Sequence, residues 1–284
     1  MKFPAFAYAV PETIEEALEL LASDADARPL AGGQSLLPIM ALRLAAPSML
    51  VDLGRIDMLR QCVVGPDRMR IGAMRTHAAN AACFDVWAQL PLMSDALHHV
   101  AHQAVRNRGT FGGSLAHADA GAEMPLVVSA LDGAIILRGP HGERSVPAAD
   151  FFQGHYTTAI EPGELLVAVE LPYSPLQWAF EEFARRSGDL AVAMAAVGVD
   201  LDGDVCRDVR ILLGSVGERP IRAHDAEAFL RGRPLTPGAI TEAGRMAVAG
   251  VAARSDIHAD PAYRASIAAV LVSRALDRLA RGDF

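Results

Sequence analysis

Residues 31 to 38 read AGGQSLLP and residues 106 to 113 read RNRGTFGG, two glycine pairs at the edges of apolar segments with a small hydroxyl residue beside each. A glycine pair costs backbone entropy, so it marks a tight turn or a place where backbone approaches something closely. An ordinary tight turn accounts for either pair alone; two such sites in one chain point to a single extended ligand. Neither stretch completes a commoner phosphate motif. AGGQSLLP lacks GKS or GKT, and neither supplies GxGxxG opening a helix. The remaining way to hold a phosphate is a nest of successive backbone N–H groups, with Ser35, Thr110 and Ser114 adding hydroxyl donors, so that two nests grip a pyrophosphate from both sides.

The intervening chain carries mixed helix and strand signals. TIEEALELLA starts on Thr13 with Glu16 three residues on, a capping box that predicts an amphipathic helix over 13–22. From Pro29 to Leu53 the pattern reads strand, turn, strand, with little room for a crossover helix. MRIGAMRTH adds strand character, and Ser94 caps a helix carrying Leu97, Val100, Ala101 and Ala104 that ends near Asn107 and Gly109. After the second glycine pair come an apolar segment, a turn at Asp132-Gly133, and the strands AIILRG and ELLVAVELP. Pro172, Ser174 and Pro175 read as a linker. Beyond it lies a hairpin turning at Asp202-Gly203, and from Ala223 onward three helices. In the last of these Ile267, Val270, Leu271, Leu276 and Leu279 make a stripe suited to packing on a sheet.

At 284 residues the chain is long enough for two domains with their own cores. Its three cysteines, Cys62, Cys83 and Cys206, are far apart without a CxxC pair, which leaves no disulfide framework and no zinc or iron–sulfur site, and fits a reducing, cytoplasmic compartment. The N-terminus passes from a short, proline-broken apolar run into an acidic helix, unlike a signal peptide. No stretch nears eighteen uninterrupted apolar residues, so no membrane span is expected. A formal charge of −8 and the absence of a long basic run argue against nucleic acid as a partner.

Other constellations are weaker. His98, His99 and His102 form HHxxH, in which two imidazoles could share a helix face, but no acidic or cysteine partner is spaced to complete a metal site. DLDGD at 200–204 lacks the sixth-position glycine and distal glutamate of a calcium loop, and a hairpin turn explains it better. Arg185-Arg186 with Gly188-Asp189 reads either as a solvated ion-paired turn or as part of a ligand-side surface. Ser35, Ser114 and His117 make no nucleophilic triad, since no GxSxG elbow surrounds either serine. No catalytic acid or base is assigned.

Taken in order, AGGQSLLPIMALRL, IGAMRTH, RNRGTFGGSLAHADAGAEMP, FFQGHYTTAIEPGELLVAVELPY and ARRSGDLA resemble the FAD-binding medium subunit of molybdenum hydroxylases, of the aerobic carbon monoxide dehydrogenase type and related to the flavin domain of xanthine dehydrogenase. The resemblance covers about residues 1–215, and the helical tail suits the family's C-terminal domain. It implies an α+β protein: a two-subdomain FAD-binding fold of the vanillyl-alcohol oxidase and p-cresol methylhydroxylase type over 1–175 (subdomains about 1–57 and 58–175), then a C-terminal domain over 176–284 with a small antiparallel sheet and helices. It places Ala31, Gly32, Gly33, Gln34, Ser35 and Leu36 on one side of the FAD pyrophosphate and flavin, and Thr110, Phe111, Gly112, Gly113 and Ser114 on the other. Glu123 falls where the family has an aspartate near the adenosine ribose, and Leu166 at a hydrophobic position against the flavin ring or adenine. Gln34 stands in place of a frequent histidine, Val100 in place of an aromatic residue, and Glu182 in a stretch where many relatives carry a lysine.

The activity so implied is electron relay. FAD would take electrons from two [2Fe–2S] clusters on a small subunit and deliver them to an external acceptor, while a large subunit with the molybdenum cofactor oxidises the substrate. The alternatives are a non-catalytic assembly or interaction subunit that keeps the fold, and a stand-alone flavin oxidase. The intact glycine pairs count against the first of these.

Overall fold

The computed structural model describes residues 2–283. The chain begins with β1 (Ala7–Ala9), α1 (Ile14–Ser23), β2 (Arg28–Leu30), α2 (Leu36–Ala41) and β3 (Met49–Asp52). β1 and β2 both pair with β3 in parallel, giving the order β1–β3–β2. The capping box holds: Thr13 Oγ1 accepts the Glu16 N–H at 3.1 Å, and the Glu16 carboxylate accepts the Glu12 N–H at 2.8 Å. The strand–turn–strand expectation for residues 29–53 is corrected here. Residues after the glycine pair form the short helix α2, a crossover that parallel pairing requires.

A five-stranded antiparallel sheet follows. β4 (Cys62–Val64) and β5 (Arg68–Gly72) lead into six short helices: α3 (His77–Ala81), α4 (Phe84–Gln89), α5 (Pro91–Leu97), α6 (Gln103–Arg106), α7 (Phe111–His117) and α8 (Glu123–Ala130). The chain returns through β6 (Ala134–Gly139), β7 (Gly142–Pro147), α9 (Ala148–Phe151), the small ribbon β8 (Phe152–Gly154) with β9 (Thr157–Thr158), and β10 (Leu165–Pro172). The sheet order is β4–β5–β10–β6–β7. The helix expected from Ser94 to Asn107 is broken. Pro91 starts α5, which ends at Leu97; Ala101 then takes φ +40°, and α6 resumes at Gln103. His98, His99 and His102 therefore share no helix face, and no metal-competent group of His, Cys, Asp and Glu occurs among the described residues.

β11 (Gln177–Phe183), β12 (Ala193–Asp202), β13 (Val205–Gly214) and β14 (Ile221–Arg222) make a second antiparallel sheet in chain order, covered by α10 (His224–Leu230), α11 (Pro237–Ala247) and α12 (Pro261–Arg281). The expected hairpin is present, with Asp202 paired to Val205 and Gly203 at φ +63°. On α12, Leu271, Leu276 and Leu279 are buried as the stripe predicts, whereas Val270 is exposed.

Three apolar clusters hold these layers together. Leu165 and Val167 of β10 pack with Ile14, Val51 and Leu53 of the N-terminal unit, while Leu166, Val169 and Leu171 face Leu97, Leu115 and Leu126 on the helical side. The alternation of a strand thus puts β10 between two cores. The third cluster lies between the β11–β14 sheet and α10–α12.

Candidate FAD site

The structure brings the two glycine stretches together. A Cβ on Gly32 would collide with the carbonyl oxygen of Arg108, and one on Gly113 would lie 3.3 Å from Ala31 Cβ. Gly33 has φ +73°, a conformation that disfavours side chains. The glycines are thus required first by each other's backbone.

The two stretches differ in what they leave free. Among the described residues, the N–H groups of Gly32, Gly33, Gln34, Ser35 and Leu36 donate to no other protein group, and Ser35 makes no side-chain cap on α2. Five successive unpaired amides leading into a helix form an anion-binding concavity. The second stretch is satisfied internally. Phe111 and Gly112 donate to the carbonyls of Arg75 and Ala73, at 2.9 and 2.8 Å, Gly113 donates to Thr110 Oγ1 at 3.1 Å, and Ser114 donates to Thr110 O at 3.0 Å. Two symmetric amide nests are therefore not what the fold builds. The 31–36 side offers amides; the 110–114 side offers the Ser114 hydroxyl and a packed glycine surface.

A third segment, legible in the sequence only as the motif IGAMRTH, anchors this arrangement. Ala73 donates its N–H to Val167 O at 3.0 Å, where β10 bulges, and accepts from Gly112 through its carbonyl. Leu166 is thus tied to the second glycine pair through Val167 and Ala73, with its own side chain buried in the core. His77 is also buried. It receives no hydrogen bond at Nδ1, and burial, then the charge of Arg106, pushes it down to about 4, so it is a neutral imidazole at pH 7. The Arg108 side chain makes no ion pair with another described residue, which leaves one free cation attached to the glycine contact.

Glu123 begins α8 and is buried. Burial, then the charge of Glu182, raises it to about 8; burial raises Glu182 to about 7. Neither carboxyl has an arginine or lysine partner, and Glu182 Oε1 has only His99 Nδ1 at 4.0 Å, so this end of the site is a pair of mostly neutral acids at pH 7 rather than an anionic patch. The turn joining α7 to Glu123 is strained. Ala118 has φ +51° and Tyr156, which braces it, has φ +56°. Tyr156 donates its N–H to Ala118 O and its hydroxyl to Asp119 Oδ2, both at 3.0 Å, and His155 Nδ1 accepts from Ala120 N–H at 3.2 Å. FFQGHYTT carries these two residues, but nothing in its pattern announces a brace for a turn some 35 positions upstream.

Such a fold, with two facing glycine segments, an amide concavity and no catalytic triad, defines a nucleotide-cofactor carrier. The comparisons agree. Residues 4–174 match the family described as the FAD binding domain in molybdopterin dehydrogenase, and residues 178–279 match the CO dehydrogenase flavoprotein C-terminal domain. The chain is 41% identical to the nicotine 6-hydroxylase medium subunit of Paenarthrobacter nicotinovorans, over 97% of this chain and 98% of that one. It is 40% identical to the carbon monoxide dehydrogenase medium chain of Afipia carboxidovorans, over 96% of each. The crystal structure of quinoline 2-oxidoreductase from Pseudomonas putida 86 superposes with a TM-score of 0.98 at 46% identity, covering 100% of this chain and 99% of that one. The chain belongs to the family of FAD-binding medium subunits of molybdenum hydroxylases. It is an oxidoreductase subunit that carries FAD and transfers electrons.

Proposed function

We propose that this chain holds one FAD noncovalently between residues 31–36 and 110–114 and, docked to a large molybdenum-cofactor subunit and a small [2Fe–2S] subunit in the cytoplasm, serves as the exit through which electrons reach an external acceptor. The observation that carries the assignment of the site is the run of five unpaired amides from Gly32 to Leu36, which matches the need of a pyrophosphate for fixed N–H donors. Bound FAD supplies the redox chemistry, accepting single electrons and passing on one or two.

The chain's own residues bind and orient. The amides of 32–36 and the hydroxyls of Ser35 and Ser114 hold the phosphates, with Arg108 adding positive charge. Ala31, Phe111, Gly112 and Gly113 bring the backbones together. Glu123 serves the adenosine ribose, and Leu166 backs the apolar side of the site. Gln34 donates Nε2 to Gly32 O at 3.2 Å and so stiffens the concavity it belongs to. The FAD unit ends near residue 175, and the remainder of the chain forms its C-terminal domain. The medium subunits of comparable identity come from enzymes named for nicotine and for carbon monoxide, which supports placing substrate choice on another subunit.

Reconstitution tests this reading. The purified chain is expected to take up one equivalent of FAD and to release it intact on denaturation. Colour that stays with the precipitated protein, or failure to take up FAD at all, would contradict it.

A further inference from the structure

Residues 188–191 lie along both ends of the second glycine stretch. Gly188, at φ +83°, sits so close to His102 that a Cβ there would be 2.6 Å from Cε1. Ala191 donates its N–H to Gly121 O at 3.3 Å, two residues before Glu123, and Leu190 Cβ abuts Gly121. The segment has no regular structure of its own, and Leu190 stays 59% exposed. What fixes it comes from the C-terminal part of the chain.

Ser215, at the end of β13 and with φ +61°, donates its hydroxyl to Ala191 O at 2.6 Å. Arg254 donates to Ser215 Oγ at 2.8 Å and to Ser215 O at 3.0 Å, which leaves the hydroxyl proton directed at Ala191. Behind them Arg264 of α12, with none of its surface exposed, donates to the carbonyls of Val192, Ser215 and Arg254 and pairs with Asp256 Oδ2 at 2.7 Å. Burying a guanidinium is costly unless its donors are satisfied. Here one carboxylate faces two arginines, and backbone carbonyls from three separate segments supply the other acceptors. Packing alone does not call for it, because Ala268, Leu271 and Val272 on the same helix fill the core with apolar groups.

We infer that Arg264 is a positioning residue of the cofactor site. Acting through Ser215, it holds residues 188–191 as a wall against Gly121 and the second glycine stretch, and this wall slows loss of the bound nucleotide. The inference rests on the FAD site proposed above. It makes the C-terminal part of the chain a structural determinant of a site none of whose assigned residues it contains.

The test uses the full chain loaded with FAD, comparing Ser215→Ala, Arg264→Lys and Arg264→Met by the rate of FAD release on dilution and by the visible circular dichroism of the bound flavin. Ser215→Ala removes one link and keeps the buried charge, so folding is preserved. It is expected to release FAD roughly five- to tenfold faster, in line with the loss of one hydrogen bond to the wall, and to alter the dichroic band, while the melting temperature of the FAD-free chain stays close to that of the unmodified one. Arg264→Lys is expected not to restore the slow rate, since a single ammonium cannot reach three carbonyls in a fixed fork. Arg264→Met should release faster still. Release at the unmodified rate with an unchanged dichroic band in both Ser215→Ala and Arg264→Lys would overturn this inference alone; an unmodified chain that takes up no FAD would overturn the proposed site as well.

Discussion

A glycine at the site is defined by what surrounds it, and this separates useful substitutions from uninformative ones. Gly33→Val forces a β-branched side chain into φ +73°, and Gly113→Val drives one against Thr110 Oγ1. Each is expected to weaken FAD binding at least tenfold, about 1.4 kcal/mol, as read by flavin content after gel filtration. Gly238→Ala, with nothing within 4 Å and no positive φ, is the control; equal flavin content in all three would remove the glycines from the site. The buried acids set a pH signature in the FAD-free chain. Glu123 and Glu182 titrate near 4.5 when unfolded but at about 8 and about 7 in the fold, so the stability they confer is complete below about 4.5 and is lost as pH rises through those values. His77 has the opposite dependence: its folded value of about 4 against 6.5 gives stability that is complete above 6.5 and lost as pH falls toward 4. Melting temperature is therefore expected to decline between pH 6.5 and 8.5, and Glu123→Gln combined with Glu182→Gln should flatten that decline. An equally steep decline in the double variant would rule the pair out as its source. Glycine placement was legible from composition and spacing. The neutral state of Glu123 was not, because it depends on Glu182, which arrives from another sheet.

Helix α7 shows how much of an element can be read locally. Thr110 caps it through the Gly113 N–H, and the same hydroxyl fills the space a Cβ on Gly113 would need. Thr110→Ala is expected to cost about 1 kcal/mol of stability and to lower FAD affinity, with Thr110→Ser recovering most of both; thermal unfolding with and without FAD measures them. No loss of stability in Thr110→Ala would show that the cap is not needed. The capping box of α1 and the strands AIILRG and ELLVAVELP were plain in the sequence because their signals lie within a few residues. α2 was missed for the converse reason. Its six residues carry Pro38 and too little periodicity to register, and it exists because β2 and β3 pair in parallel. The break at 98–102 was hidden as well, since apolar spacing continues through Val100 and Ala101 while Arg106 draws in their carbonyls at 2.8 and 2.7 Å.

Across the whole molecule the proposed division of labour makes a further prediction. The isolated chain is expected to bleach its flavin with an artificial reductant under anaerobic conditions and to recover it with an artificial acceptor, yet to show no bleaching by carbon monoxide, an aldehyde or an N-heterocycle until the partner subunits are added. Bleaching by such a substrate with this chain alone would replace electron relay with a self-sufficient oxidase. The contact of Gly32 with Arg108 carries one more consequence, for the order of events during synthesis. The amides from 32 to 36 leave the ribosome early, but the surface that meets them is translated only after β5 and four further helices, and the bulge that anchors that surface lies later still, on β10. Contacts so distant along the chain must first offset the entropy of closing a long loop. The nucleotide therefore has no half-built place to wait in: capture should come after the domain has closed, which makes the yellow colour of the chain a clock for the last step of its folding.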